Sequence, residues 1–582
     1  MKKEKIFTKL SRRSFIRNSV VAAAGVTLLP GALASCSDDD SPGENFTPEG
    51  DFGFFEGVAS FDPTQQKVVL WTRYTPATNE PTKPSILLDV AKTSDFKDLV
   101  VSESVVVDTE SDNTVYVDVD KLTSNTKYYY RFRHETTGAV SVVGETRTLP
   151  APGEVSEVKL AVVSCSNFQA GLFNVYGAVA ESNADIVVHL GDYIYEYASG
   201  GYGSNETTAG LNRQHKPAGE IVSLEDYRAR YRQYRSDEQL QKAHQLKPFI
   251  CVWDDHEIAN DAYTDGAENH QPDTEGSFVD RKAHALQAWH EYLPARVNNQ
   301  SEIYRNFEIA GIVNLIMLDT RIVGRNKQLS YVDYFSNEGA LDSAAFAQAW
   351  KNPQRTLLGT KQRDWLGGTL DGSSAKWQVL GNQVLMAKIF IPAELLVLTA
   401  QIASGAVTPE LFQQYNALVT ELVIIKTRLD QGDPDLTEAE KARVQTVLPY
   451  NLDSWDGYPV EREMVFAAAA GKKLISLAGD THNAWYSQLS DAEGNKVGAE
   501  FATSSVSSPG FEAIFGDDAQ VIAGFQMAYP ILVNDLDYVD AARRGYVMAT
   551  FSNNNAKADW QFVTTLATKN TKTDSGKVAT EE

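Results

Sequence analysis

Between Lys67 and Arg133 the apolar positions fall in short β-branched or aromatic runs. These are Lys67-Val-Val-Leu-Trp-Thr-Arg73, Val105-Val-Val107, Thr114-Val-Tyr-Val-Asp-Val119 and Lys127-Tyr-Tyr-Tyr-Arg-Phe-Arg133. Turn residues separate them at roughly the 8–12-residue spacing of an all-β sandwich, which predicts such a domain over residues 52–150. Leu122-Thr-Ser-Asn-Thr-Lys-Tyr-Tyr-Tyr130 reads as a corner of it, and Thr148-Leu-Pro-Ala-Pro152 as a linker. Beyond the linker the alternation stops. Val158–Val163, Asp185–Leu190, Phe249–Trp253, Val313–Leu318, Trp377–Leu380 and Lys473–Ala478 are almost unbroken apolar runs, the pattern of strands covered on both faces. Helix-like stretches such as Asp280–Tyr292 and Ala344–Trp350 lie between them, so residues 155–567 are expected to form an α/β domain. Glu394–Thr446 reads as a helical insertion with a turn near Asp430-Gln-Gly-Asp-Pro434, and residues 568–582 as a polar tail.

The first residues follow a different logic. Lys2, Lys3 and Lys5 precede Ser11-Arg12-Arg13-Ser14-Phe15-Ile16-Arg17, then an apolar stretch from Val20 to Leu33, then Leu33-Ala34-Ser35-Cys36. A basic region, an apolar region and small residues in that order predict a signal peptide over residues 1–36. The arginine pair resembles a twin-arginine signal, and the ending resembles a bacterial lipoprotein box with Cys36 as the lipidated residue. An ordinary signal peptide with a chance cysteine is the alternative. The apolar run falls short of the ~20 residues of a membrane span. Residues 37–51, which include Ser37-Asp38-Asp39-Asp40-Ser41-Pro42-Gly43, read as a flexible tether. The expectation is an exported protein, delivered by twin-arginine machinery and lipid-anchored to the envelope in the periplasm or at the cell surface. Because that route carries folded cargo, it hints at a bound cofactor.

With 582 residues, 43% of them hydrophobic and 10% aromatic, the chain has the composition of a packed protein of two or three domains. A net charge of −24 argues against nucleic acid as a partner, since such binding needs clustered Lys and Arg. An anionic substrate stays open if bound metal ions supply the positive charge. Three cysteines are too few for a disulfide scaffold.

Each buried strand runs into a polar cluster, where ligands of α/β folds bind. The clusters are Ser164-Cys165-Ser166-Asn167, Gly191-Asp192-Tyr193-Ile194-Tyr195-Glu196, Trp253-Asp254-Asp255-His256-Glu257 with Asn260 and Asp261, Leu318-Asp319-Thr320-Arg321, and Gly479-Asp480-Thr481-His482-Asn483. Singly, each has a bland reading: Gly-Asp is a common turn, and a lone cysteine is most often core filler. Together at strand ends they point to metal chemistry. Of nine histidines only His189, His256 and His482 fall in these clusters, and His189 lies on its strand, a position suited to supporting ligands. A dizinc site would use more imidazoles. Leu380-Gly-Asn-Gln-Val384 and Asp480-x-His482 leave a second metal mainly oxygens, which favours calcium over zinc. Cys251 reads as strand filler.

Phe55-Glu-Gly-Val-Ala-Ser-Phe-Asp-Pro63, Val69-Leu-Trp-Thr-Arg73, Ser164-Cys165, His189-Leu-Gly-Asp-Tyr-Ile-Tyr-Glu196, Trp253-Asp-Asp-His-Glu257, Leu318-Asp-Thr-Arg321, Trp455-Asp-Gly-Tyr458 and Gly479-Asp-Thr-His482 together resemble the PhoD-type alkaline phosphatase/phosphodiesterase family. The resemblance implies an α/β fold: a four-layer metallophosphoesterase β-sandwich flanked by helices, preceded by a small fibronectin/Ig-like all-β domain. It also implies an Fe(3+) site beside Ca(2+). Cys165, Asp192, Tyr195 and His482 would hold the iron, with Asp192 bridging. Asp255, Asp480 and Asn260 would hold the calcium, with Asp254 the competitor of Asp255. Gly191-Asp192-x-x-Tyr195 is similar to the purple-acid-phosphatase cluster whose tyrosine binds ferric iron as phenolate. His256 would serve as general acid or transition-state donor, its alternative being to orient a ligand carboxylate.

The implied reaction is in-line hydrolysis of a phosphoric ester by metal-activated hydroxide. Arg321 and Arg73 suit either phosphate or, more simply, structural ion pairs. Two rivals remain: a diesterase specialised for phospholipid or cell-wall polymer, its helical insertion roofing the site, and a non-catalytic surface binding lipoprotein.

Overall fold

The computed structural model describes residues 52–582 except 79, 81–82, 336–340, 404–408 and 516–518. The expected signal peptide, the expected tether and Cys36 lie outside the described residues. Among the described residues no helix is long and apolar enough to cross a membrane.

Seven strands come first: β1 (Val58–Phe61), β2 (Val68–Arg73), β3 (Ser85–Ala91), β4 (Leu99–Val106), β5 (Thr114–Val119), β6 (Lys127–Arg133) and β7 (Gly144–Arg147). They form two facing sheets, β1-β2-β5 and β4-β3-β6-β7, around a core that includes Val58, Leu70, Ile86, Leu88, Tyr130 and Phe132. In β6 the alternation turns Tyr128, Tyr130 and Phe132 inward. At the expected corner the Tyr128 hydroxyl accepts the Thr123 N–H at 2.9 Å.

The remaining strands are β8 (Glu157–Val163), β9 (Ile186–His189), β10 (Pro248–Cys251), β11 (Arg305–Ile309), β12 (Val313–Met317), β13 (Trp377–Gly381), β14 (Phe390–Pro392) and β15 (Val447–Pro449). After these come β16 (Lys473–Ala478), β17 (Ala484–Ser490), β18 (Lys496–Ala502), β19 (Leu536–Asp540), β20 (Gly545–Ser552), β21 (Ala556–Val563) and β22 (Thr573–Glu581). A nine-stranded sheet runs β22-β21-β20-β8-β9-β10-β1-β2-β5, and a seven-stranded sheet runs β11-β12-β13-β16-β18-β17-β19. The centre of each is parallel. Their inner faces meet in one core that holds Val162, Val188, Leu315, Val379 and Leu477. Helices Asn174–Glu181, Glu238–Leu246 and Phe278–Tyr292 cover the first sheet, and Gly359–Gly372, Pro459–Ala468 and Ala519–Leu532 cover the second. The result is the four-layer α/β arrangement.

The N-terminal sandwich is not freestanding. β1 pairs in parallel with β10, Ser60 opposite Pro248 and Phe61 opposite Phe249, so one sheet of the sandwich continues into the large nine-stranded sheet. The supposed polar tail is a correction. Residues 573–581 form β22, antiparallel to β21, and the Glu581 carboxylate accepts from the Tyr486 hydroxyl at 2.5 Å and from Lys496 at 2.6 Å. Most of β22 faces water, so its residues are polar and its strand character is hidden from a hydrophobic reading. The insertion folds as helices Ala393–Ala403, Pro409–Asp430 and Glu438–Gln445, packed on Ala519–Leu532 and on the β14-β15 ribbon.

Candidate metal centre

The parallel strands of both sheets end at one rim. β8 delivers Cys165, β9 Asp192, β10 the Asp254–Glu257 run, β12 Asp319 and Arg321, β16 Asp480 and His482, and β18 the turn Thr503–Ser508. Four of these residues hold left-handed backbone: Cys165 at φ 61°, Asp192 at 56°, Asp480 at 62° and His482 at 65°. For non-glycine residues this costs about 1–3 kcal/mol each, and such strain persists where the surroundings over-determine it. Gly191 is obligatory in the β9 turn, since a Cβ there would lie 2.4 Å from the Asp254 backbone nitrogen.

Buried polar groups hold this geometry from behind. Glu257 accepts the N–H groups of Asp192 at 3.0 Å, Tyr193 at 2.5 Å and Asp254 at 2.7 Å, locking the β9 turn to the β10 turn. Burial, together with the Asp192 charge, raises Glu257 to about 8 against those donors. His189 accepts the Gly191 N–H through Nδ1 at 3.2 Å, and its Nε2 lies 2.7 Å from the Tyr176 hydroxyl. Both ring nitrogens are thus engaged, and the imidazole supports the turn. Asp319 accepts the indole N–H of Trp253 and the backbone N–H groups of Arg321 and Ile322, which sets the direction of Arg321.

Ligand-type atoms of Cys165, Asp192 and His482 all lie within 4.8 Å of one another. The Tyr195 hydroxyl joins them, 2.9 Å from Asp192 Oδ2 and 3.1 Å from His482 Nε2. His482 Nδ1 donates to the Pro509 carbonyl at 2.7 Å, which turns the Nε2 lone pair toward the group. Asp254, Asp255 and Asp480 form a second cluster on the same criterion, and Asp192 groups with Asp255 and His256, so it faces both. Asp254 and Asp255 thus both enter the site. Asn260 sits on the next turn, where the Asp261 N–H bonds Asp255 Oδ2 at 2.6 Å.

Arg321 is fully buried amid this acid. It donates to Asp254, to Asp453 at 2.9 and 3.0 Å and to Asp480 at 3.0 Å, and it lies 3.4 Å from Asp255. Its place is a structural ion pair. So is that of Arg73, which bonds Glu56 and Asp112 away from the site. His256 Nδ1 lies 2.7 Å from Glu196 Oε2, and its ring packs 4.2 Å from that of Tyr195. Burial pushes this imidazole down, but the carboxylates of Asp192, Glu196 and Asp255 outweigh it and raise it to about 10. Sequence reasoning gave no role to Glu196, Glu257, Asp453 or Ser508. Glu196 stood inside a noted motif; Ser508 follows β18, a strand the hydrophobic pattern did not single out.

The donor set fits metal ions. Asp254 Oδ2 and Asn260 Oδ1 are buried and meet no hydrogen-bond donor among the described residues. Burial, reinforced by the Asp192 charge, raises the Cys165 thiol and the Tyr195 phenol far above their ordinary values. Asp254 rises for burial too, despite Arg321, because Asp255, Asp192 and Asp480 surround it. Acid this concentrated stays ionised only beside added cations.

Comparisons with known proteins follow the same outline. The family model "PhoD-like phosphatase" matches residues 160–560, and "PhoD-like phosphatase, N-terminal domain" matches 41–150. Alkaline phosphatase D of Bacillus subtilis (strain 168) is 33% identical over 528 residues, covering 88% of this chain and 77% of that protein. A solved structure of PhoD superposes with a TM-score of 0.68 at 29% identity, covering 92% of this chain and 90% of that one.

Proposed function

We propose that this chain, which belongs to the PhoD-like phosphatase family, hydrolyses phosphate esters at a mixed iron and calcium centre. It is a phosphoesterase, and its substrate is a phosphate ester. The reading assigns Cys165, Asp192, Tyr195 and His482 to Fe(3+). It assigns Asp255, Asp480 and Asn260, with Asp254, to Ca(2+), and lets Asp192 bridge. Thiolate and phenolate are strongly donating ligands that suit ferric iron, whereas carboxylate and amide oxygens suit calcium. When bound, the ions lower the pKa of water to near neutrality and offset charge on the phosphoryl oxygens.

The chain's own groups do the rest. His256, with Nδ1 engaged by Glu196, keeps Nε2 for the leaving-group oxygen and gives it a proton. Glu257 and Asp319 keep the ligand turns rigid, so little reorganisation is needed. The observation that carries the proposal is the meeting of Cys165, Asp192 and His482 beside the Asp254, Asp255 and Asp480 cluster. Elemental analysis paired with activity before and after calcium chelation tests it. Iron and calcium near stoichiometry, with activity lost on chelation and restored by calcium, is the expected result; full turnover by metal-free protein would refute it. Comparing bis-aryl with mono-aryl phosphate assigns diester or monoester preference.

The location belongs to the same proposal: export by the twin-arginine route and anchoring through Cys36, on the sequence Leu33-Ala-Ser-Cys36. A Cys36→Ser variant should leave the membrane fraction.

A further inference from the structure

Ser508 is fully buried beside the Tyr195 phenol oxygen. Its hydroxyl lies 2.7 Å from Tyr195 Oη and 2.9 Å from the Cys165 carbonyl, so one proton faces two acceptors. The Cys165 carbonyl already receives the N–H groups of Ser507 at 3.4 Å and Ser508 at 3.2 Å. The phenol oxygen is served differently. Around it stand Asp192 Oδ2 at 2.9 Å, an acceptor, and His482 Nε2 at 3.1 Å, which has no hydrogen in the tautomer whose Nδ1–H meets the Pro509 carbonyl and the Tyr202 hydroxyl. Of these three neighbours, Ser508 is the one with a hydrogen to give. A second serine holds it in place, since Ser505 Oγ donates to the Ser508 carbonyl at 2.6 Å.

We propose that Ser508 is a positioning residue that sets how strongly the Tyr195 oxygen donates to iron. The inference rests on the reading that Tyr195 binds ferric ion. With Tyr195 as a neutral phenol, its own O–H points to Asp192 and the serine hydroxyl turns to the Cys165 carbonyl. With Tyr195 as a phenolate, the hydroxyl rotates and donates to it. A hydrogen bond of this kind draws electron density from the anion, weakening its donation to the metal. It moves no proton off the serine and needs no partner beyond the groups named.

The test uses iron-loaded protein and reads the phenolate-to-iron absorption band and the midpoint potential of the ferric/ferrous couple. Ser508→Ala should keep its iron while the band moves to longer wavelength and the potential falls. Ser508→Thr, which retains the hydroxyl, should restore both. An alanine variant with the wild-type band and potential overturns the proposal. Resonance Raman of unmodified protein gives a second measurement, independent of how the variant folds: the phenolate C–O stretch should shift between H2O and D2O, and an identical stretch overturns the proposal as well. Tyr195→Phe separates the two levels of inference. A band indifferent to that change removes the phenolate–iron reading and this proposal with it. A band it abolishes, joined to an unresponsive Ser508→Ala, removes the serine's role alone.

Discussion

Two regions of this molecule bury charge, and they do it in opposite ways. Where the N-terminal sandwich meets the catalytic layers, Arg73 pairs with Glu56 and Asp112, Arg232 with Asp112, and Arg228 with Glu291. Asp112 alone is held by Arg73 at 3.2 Å, by Arg232 at 2.6 Å and by the Tyr292 hydroxyl. At the rim, Asp192, Asp254, Asp255 and Asp480 stand with a thiol and a phenol around one guanidinium, Arg321. At the junction these carboxylates each have a guanidinium partner. Among the described residues the rim's carboxylates outnumber the cationic groups beside them, an excess that bound cations would offset. Burial of charge by itself therefore does not mark a site; burial with the counter-charge missing does.

That contrast can be broken experimentally, most severely at its centre. Asp192 faces both clusters, so Asp192→Ala should empty both metal positions and lower kcat/KM by at least about 10³-fold, the worth of several kcal/mol of charge stabilisation. Normal metal content in that variant would count against the bridging role. His256→Gln should keep its metals and lose about 10²-fold in kcat, the scale of general-acid assistance, with the loss smallest for esters of acidic leaving groups.

Glu196→Gln should cost about 10-fold in kcat, the size of a lost supporting contact. The sign of its pH effect is fixed. Glu196 is among the carboxylates that raise His256, so removing its charge lowers the imidazole pKa. The alkaline limb of kcat/KM, where the acid form is lost, then moves to lower pH. An unmoved limb would hand the titration to another group.

The junction gives the smallest effect on turnover. Asp112→Asn should destabilise folding by roughly 2–3 kcal/mol, measured by denaturant titration, with metal content and kcat per folded molecule unchanged. Burial pulls Asp112 up, but Arg73, Tyr292 and Arg232 hold it below the ordinary carboxylate value. Its contribution is therefore complete above the unfolded pKa of about 3.9 and fades only as pH falls through the lower folded value. A metal-dependent stability in this variant would show the two regions to be coupled.

Much of this was legible along the chain for a physical reason. Parallel strands buried on both faces hold few polar residues, so the polar clusters after Val163, His189, Cys251 and Ala478 stand out. Those residues converge because the strands run side by side in one direction. Supporting groups were harder to see. Ser508 and Asp453 lie on loops and act through hydrogen bonds and ion pairs to residues far away in the chain, which local periodicity does not register. The sequence prefers Asp255 to Asp254 as a second-metal ligand, whereas in the fold both join Asp480 in one cluster. The pairing of β1 with β10 was invisible, since it joins segments far apart in the chain. β22 was missed because an edge strand wets most of its side chains.

The β1–β10 pairing gives the N-terminal strands a part in whether the catalytic layers can exist alone. A fragment beginning after the linker would leave β10 with a bare row of peptide groups directly behind the Asp254–Glu257 turn. Such a fragment should self-associate through that edge rather than remain monomeric. In the intact chain, the earliest-made strands must wait for β10 to be synthesised before they can dock, a long-range closure that slows folding.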